Sequence, residues 1–98
     1  RAGELVLDID ARALTLQGKL VELTPMEFDL LMTLMRIPGR AFSRLDLLER
    51  TQDYAYDGYE RTVDVHIKNL RKKVEPNPSK PDYILTVFGV GYRFNPEV

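Results

Sequence analysis

The sequence predicts one α+β domain over residues 1–98, with an N-terminal antiparallel β-sheet, three helices and a C-terminal β-hairpin. Short apolar segments rich in β-branched residues lie near both ends of the chain, whereas apolar residues recur at helical spacing in its middle part. Glycine and proline separate these segments. With 98 residues and 44% hydrophobic content, the chain has enough apolar side chains for one modest core.

Three short strands are predicted first. Residues 5–9 are mostly apolar, and residues 13–16 and 19–22 form two further short segments with the turn signal Gln17-Gly18 between them. Strands joined by such short connections pair antiparallel. We therefore expect a small meander.

The first helix is predicted to begin after Thr24. The Thr24 hydroxyl can accept a hydrogen bond from the first helical turn, and Glu27 can reach back to the N–H of the cap. Pro25 occupies the first helical position, where no N–H is needed. Apolar residues then recur at helical spacing until Pro38-Gly39 ends the helix.

A second, shorter helix is predicted by the same capping pattern, with Ser43 as the cap and Asp46 three residues later. It extends to about residue 50. Residues 51–58 lack helical periodicity and end in Gly58, which indicates a loop.

The third helix is predicted from about residue 60, with apolar residues spaced four, three and four apart at Val63, Ile67, Leu70 and Val74. Prolines after residue 75 end it. Residues 83–87 and 92–94 then predict two strands, joined through the glycine-rich tip at residues 88–91. They form a hairpin over about residues 83–95.

The composition narrows the function classes. The chain has no cysteine, and no apolar run approaches the roughly 18 residues of a membrane span. A soluble, cytoplasmic protein without a metal or cofactor is therefore expected. The formal net charge is −1, but it is unevenly distributed: residues 1–59 carry a net −3 and residues 60–98 a net +2. A local basic stripe thus lies on a mostly acidic domain.

The outward face of the third helix carries residue types that read DNA. If its apolar residues face the core, the opposite face presents Arg61, Val65, Lys68, Asn69 and Lys72. Lysine and arginine bind phosphates or guanine edges, asparagine pairs with adenine, and valine contacts the thymine methyl group. A charged helix face is by itself usually only solvated. The neighbouring helix and hairpin favour the DNA-binding interpretation.

Four segments resemble, in the same order, the signatures of the OmpR/PhoB family of response regulators. They are TPMEFDLL at residues 24–31, FSR at residues 42–44, ERTVDVHIKNLRKK at residues 60–73 and VFGVGYRF at residues 87–94. Two positions depart from the family's pattern. Phe88 stands where many relatives have an arginine, and Thr51-Gln52 stand where a tryptophan is frequent.

The resemblance implies a winged helix-turn-helix that binds double-stranded DNA as the output domain of a two-component response regulator controlling transcription. The helix at residues 60–74 is expected in the major groove, and the hairpin, called the wing, on the backbone or in the minor groove. The DNA-binding residues implied by the resemblance or by the helix face are Arg61, Thr62, Val65, His66, Lys68, Asn69, Arg71, Lys72 and Tyr92.

The implied roles differ among these residues. The resemblance implies that Arg61 and Thr62 contact DNA phosphates and that a second group of residues contacts base edges. It also implies that Tyr92 supports contact with the DNA backbone. The base-edge group comprises Val65, Lys68, Asn69 and Arg71. Lys72 is expected on a phosphate. For His66, phosphate contact and simple packing both remain open.

The resemblance also implies partners beyond DNA. A receiver domain before residue 1, phosphorylated by a sensor histidine kinase, is expected to promote dimerisation on repeated sites, whereas the isolated domain can be monomeric. The loop at residues 51–59 is expected to contact RNA polymerase through Tyr54, Tyr56 and Tyr59, or else to pack against the third helix.

Two other function classes compete with DNA binding. A winged-helix module that binds protein rather than DNA would fit the acidic remainder of the chain, Phe88 and the tyrosines. An enzyme is not expected, because no nucleophile, paired general base or metal cluster emerges. Asp64 is interpreted as an intramolecular partner of an arginine or lysine, and Gly89 and Gly91 are interpreted as turn residues.

Overall fold

Residues 3–51 and 61–98 are described in the computed structural model, with Arg61 as backbone only. The loop expected to contact RNA polymerase, including its three tyrosines, therefore lies outside the described residues from position 52 onward.

The N-terminal meander is confirmed. Strands β1 (Leu5–Asp8), β2 (Ala13–Leu16) and β3 (Lys19–Val21) pair antiparallel in the order β1-β2-β3. Gln17 and Gly18 both have positive φ, 53° and 79°. Positive φ at both central residues matches the turn that continues the twist of paired strands, so the turn signal has a direct backbone cause.

The three helices are confirmed as α1 (Pro25–Arg36), α2 (Arg44–Arg50) and α3 (Arg61–Val74). Both capping boxes are formed. The Glu27 N–H donates to Thr24 Oγ1 at 3.2 Å, and the Thr24 N–H donates to Glu27 Oε1 at 3.0 Å. Ser43 and Asp46 make the same pair of bonds at the start of α2.

The C-terminal hairpin consists of β5 (Ile84–Val87) and β6 (Gly91–Phe94), and it gains a third strand that the sequence did not predict. Phe42–Ser43 forms β4 directly before α2 and pairs with β6, which gives the sheet order β4-β6-β5. Two residues are too few to show strand periodicity, and the capping pattern concealed them.

Glycine is needed at two positions of the hairpin for different structural reasons. Gly89 has a φ of 80° at the turn, as expected. The turn interpretation is wrong for Gly91, which lies in β6 without positive φ. A Cβ there would overlap the carbonyl oxygen of Phe42, so this position needs glycine because β4 approaches closely.

One core joins the N-terminal sheet, the helices and the C-terminal sheet. Its fully buried residues include Leu5, Leu31, Phe42, Ile67 and Phe94. The inner face of α3 lies entirely within this core, so its opposite face is turned outward. That arrangement positions the candidate interface.

Candidate nucleic-acid interface

The inner face of α3 is as predicted. Val63, Ile67, Leu70 and Val74 are at most 1% exposed and belong to the core. Because these four residues occupy one side of the helix, the remaining residues fall into an outward face and two flanks, each with its own neighbours.

The outward face presents Val65, Lys68, Asn69 and Lys72. Val65 is 56% exposed, a large fraction for an apolar side chain on a packed helix. Lys68 and Lys72 are exposed and Asn69 is half-buried. None of the three polar side chains has a hydrogen bond or ion pair with another described residue. Their charges and amide are therefore free to bind an external ligand.

The flank nearest the wing is anchored by Asp64. Its Oδ1 accepts a hydrogen bond from the Tyr92 hydroxyl at 2.6 Å and from Nε of Arg44 at 2.7 Å. The prediction that Asp64 is an intramolecular partner of an arginine is confirmed. Three separate elements, α2, α3 and β6, meet at this carboxylate.

The electrostatics of this contact follow from the geometry. Burial alone would raise the pKa of Asp64, but the hydrogen bonds from Arg44 and Tyr92 and the charge of Arg44 outweigh it, and the net pKa is lowered. Burial raises the pKa of Tyr92 to about 12, aided by the hydrogen bond to Asp64 and its charge, and opposed by the charges of Arg71 and Arg44. Asp64 stays ionised and Tyr92 protonated at neutral pH.

Arg71 lies on the same flank and binds the wing. Its Nε and Nη2 donate to the carbonyl oxygen of Ile84 at 3.1 and 2.8 Å, and Nη2 also donates to Thr86 Oγ1 at 2.9 Å. The guanidinium carbon lies 5.4 Å from the centroid of the Tyr92 ring. Arg71 and Asp64 together attach the wing to α3.

Two of the residues with an expected role at DNA are engaged within the protein. Arg71 was expected at base edges, but its guanidinium is turned toward the wing and engaged there. Tyr92 was expected to support backbone contact, yet it is only 7% exposed and its hydroxyl points to Asp64. The helical period explains both: a separation of seven residues places Arg71 beside Asp64, on the flank covered by β5 and β6.

The opposite flank faces α1. Lys73 Nζ forms a 2.6 Å ion pair with Oε1 of Glu27, which is also the capping-box carboxylate of α1. Thr62 and His66 on this side are half-buried. The side chain of Arg61 lies outside what is described, so its expected phosphate contact stays a prediction.

The wing tip carries the most exposed large apolar side chain of the described residues. Phe88 is 91% exposed and precedes Gly89 in a turn that the Val90 N–H closes on the Val87 carbonyl at 2.9 Å. No cation stands at the turn itself, residues 88–90.

The comparisons with known proteins identify the family. A family model described as "Transcriptional regulatory protein, C terminal" matches residues 18–94. The DNA-binding response regulator MtrA of Mycolicibacterium smegmatis is 45% identical over 94 residues, which cover 96% of this chain and 41% of that protein. The chain belongs to the OmpR/PhoB family. It is the C-terminal effector domain of a response regulator.

Two solved structures share the fold. The Thermotoga maritima OmpR/PhoB homolog DrrB superposes with a TM-score of 0.89 at 36% identity, covering 97% of this chain and 43% of that one. The Klebsiella pneumoniae RstA DNA-binding domain, in complex with the RstA box, has a TM-score of 0.84 at 39% identity, covering 96% and 93%. The winged-helix prediction is thereby confirmed.

The effector domain spans only 41% of the length of MtrA, and its family is one of transcription regulators rather than enzymes. Within residues 3–51 and 61–98, no cluster of three or more histidine, cysteine or acidic side chains could hold a metal ion. In the same residues, no helix combines the length and apolar character that a membrane crossing needs.

Sequence reasoning missed two residues that shape the interface. Arg44 holds Asp64 from α2, and Glu75, only 6% exposed, accepts hydrogen bonds from the N–H groups of Asp82, Tyr83 and Ile84. Arg44 belongs to the FSR segment that carried the family resemblance, so that segment held a signal. Glu75 stands directly after α3, between Val74 and Pro76, and nothing in its spacing marks it.

Proposed function

We propose that this effector domain recognises a specific double-stranded DNA site with α3 in the major groove and the wing against the neighbouring backbone. The observation that carries the proposal is the outward face of α3. Its lysines and its asparagine are unpartnered among the described residues, while both flanks of the helix are attached to the protein. A free face on a firmly held helix suits insertion into a groove.

The side chains suggest distinct roles. Asn69 can pair with an adenine edge, and Val65 can contact a thymine methyl group. Lys68 and Lys72 supply positive charge for the DNA, and Thr62, His66 and Arg61 are placed along α3 for phosphate contact. Arg71 and Tyr92 act on the protein side, by holding the wing. Base reading thus falls to fewer residues than the family resemblance implies.

Binding should depend on a local charge rather than on the net charge. The whole chain has a formal charge of −1, so long-range attraction to DNA is weak. Each phosphate neutralised by a lysine releases counterions, which makes the affinity fall as salt rises. A small number of phosphate contacts gives a measurable but moderate salt slope.

Family membership also supports a proposal about the partners of the full-length protein. A receiver domain, its sensor histidine kinase and dimerisation on repeated sites all fit an effector domain of this family. Contact with RNA polymerase through residues 51–59 also fits it. These partners are testable with a full-length protein carrying this domain.

The test is selection of the purified domain against a random duplex library, followed by titration of the enriched duplex at several salt concentrations. We expect enrichment of a short site and weaker binding as salt rises. If the single domain enriches no site, the selection is repeated with two copies of the domain joined by a flexible linker. Failure of both forms at low salt would reject DNA recognition by this domain.

One variant and its control test whether Asn69 recognises bases. Asn69→Ala should lose preference at particular base pairs, each worth roughly 1–3 kcal/mol, while retaining affinity for random duplex. Lys19→Gln, at an exposed position of β3 in the N-terminal sheet, is the control and should change neither. Equal losses of Asn69→Ala on selected and random duplexes would contradict its role.

Phe88 supports a second candidate function. Phe88 is 91% exposed and Val90, in the same turn, is 47% exposed, so the wing tip presents neighbouring apolar side chains of the kind that a protein-binding surface uses. Phe88→Ser would then leave the DNA affinity unchanged but abolish binding of a protein partner. A loss of DNA affinity in Phe88→Ser would instead place the wing tip on DNA.

A further inference from the structure

A cleft of about 290 Å³ opens beside α3, between the helix and the turn that leads to β5. It is lined by Asp64, Lys68, Arg71, Lys72, Pro78 and Ser79. The turn has a defined shape, because the Lys80 N–H donates to the carbonyl oxygen of Asn77 at 2.9 Å and the Ser79 N–H donates to Asn77 Oδ1 at 3.1 Å. These bonds hold Ser79 at the cleft.

The charges around the cleft are unbalanced. Lys68 and Lys72 lie one helical turn apart, a spacing at which like charges repel. Asp64, four residues before Lys68, could relieve this repulsion, but its Oδ1 is bonded to Arg44 and Tyr92. Neither lysine has an acidic partner among the described residues. The cleft therefore has a surplus of positive charge that an anion would neutralise.

Arg71 adds to this surplus without occupying the cleft. Its guanidinium donates to the wing at Ile84 and Thr86, so its position is set by the protein while its charge remains at the cleft wall. The Ser79 side chain has no hydrogen-bond partner among the described residues. A serine hydroxyl and two lysines that line the same cleft are a typical donor set for a phosphate.

We infer that this cleft binds one backbone phosphate of DNA, held by Lys68, Lys72 and the Ser79 hydroxyl. The inference rests on the proposed function. The open cleft borders the outward face of α3, and a duplex that receives α3 in its major groove brings its backbone along the helix. This assignment differs from the one that the family resemblance implies: Lys68 contacts the DNA backbone rather than a base edge. Ser79 becomes a DNA contact outside α3 and the wing, and it is the one residue of its turn to which the inference gives that role.

The test is a double-mutant cycle with Ser79→Ala and Lys72→Gln on the duplex selected above. Ser79→Ala should weaken binding about three- to tenfold, as for a lost hydrogen bond, without changing the salt slope. Lys72→Gln should weaken binding and reduce the slope by about 0.9, one phosphate contact. If both residues hold the same phosphate, the double variant loses less than the product of the single losses.

Lys80→Gln is the matched control, because Lys80 lies on the same turn but does not line the cleft. It should leave the affinity unchanged. Normal binding by Ser79→Ala, or single losses that multiply in the double variant, would overturn the inference. Either result would leave the proposed function standing if the unmodified domain still binds the duplex with salt dependence.

A second experiment distinguishes a cleft that binds a DNA backbone phosphate from one that binds a free anion. Inorganic phosphate is titrated into the domain without DNA, and the amide signals of Lys68, Lys72 and Ser79 are followed by NMR. A backbone site should show only weak shifts at high phosphate concentration, because one open cleft does not enclose a free anion. Saturation at low concentration would identify a free-anion site and overturn the assignment to DNA.

Discussion

The hydroxyl of Tyr92 lies 2.6 Å from Oδ1 of Asp64 and donates a hydrogen bond to it, which joins the wing to α3. Arg71 makes a second connection seven residues further along α3. Together these residues set the position of β6 relative to the outward face of α3. These contacts join α3 and the wing into one structural unit.

Tyr92→Phe should lower the free energy of unfolding by about 1–2 kcal/mol, because Asp64 loses a buried donor while the ring still packs. Urea denaturation measures the change. Tyr83→Phe is the matched control: Tyr83 is equally buried, 7% exposed, but its hydroxyl has no described partner. Equal losses in the two variants would argue against the importance of the Asp64 contact.

The pKa of Tyr92 predicts an alkaline loss of stability. In the folded domain it is raised to about 12 from the ordinary 10.0. Because the unfolded chain releases this proton more readily, the stabilising contribution is complete below about pH 10 and is lost as pH rises toward 12. The difference in phenolate absorbance between the unmodified domain and Tyr92→Phe should titrate near 12. A difference that titrates near 10 would contradict the burial and hydrogen bond.

Arg71→Gln should weaken DNA binding but reduce its salt slope by much less than Lys72→Gln does, because the guanidinium is bonded to the wing and only its charge lies near the phosphate. Faster amide exchange in β5 should accompany the loss, since Ile84 and Thr86 lose a bonded partner. Affinity at several salt concentrations distinguishes this variant from Lys72→Gln. A slope reduced by about 0.9 in Arg71→Gln would show a direct phosphate contact.

Glu75→Gln should destabilise the domain by about 1–3 kcal/mol, because an amide cannot accept as many N–H bonds as the buried carboxylate does. Hydrogen exchange at Tyr83 and Ile84 should increase most, since their N–H groups donate to Glu75. Glu49→Gln, at an exposed position on α2, is the control and should change stability little. An unchanged exchange rate at both amides would show that Glu75 does not stabilise the backbone at Tyr83 and Ile84.

Gly91→Ala should destabilise the domain by about 1–3 kcal/mol, because the added Cβ overlaps the Phe42 carbonyl and forces β4 away from β6. Gly89→Ala meets no atom but keeps a strained positive φ, with a cost of about 1–2 kcal/mol. NMR should show displaced Phe42 and Ser43 signals only in Gly91→Ala. Unperturbed signals there would mean that β4 tolerates the side chain.

The sequence by itself determined the elements and the inner face of α3. Capping at Thr24 and Ser43, and the apolar spacing that begins at Val63, are local patterns that depend on residues within one helical turn or a few turns of each other. The same spacing placed Val65, Lys68 and Lys72 outward without knowledge of any neighbour. Local chemistry was sufficient for these features because their causes lie close together in the chain.

Only the tertiary structure decided what the flanks of α3 do. Arg71 and Tyr92 look like DNA-contacting residues in the sequence, and 12 or more residues separate each from its partner on the other element. Whether an arginine meets a phosphate or a carbonyl oxygen depends on which strand packs beside it. The pairing of β4 with β6 and the need for Gly91 have the same origin. Long-range packing brings these groups together, and no periodicity within a single segment encodes such a contact.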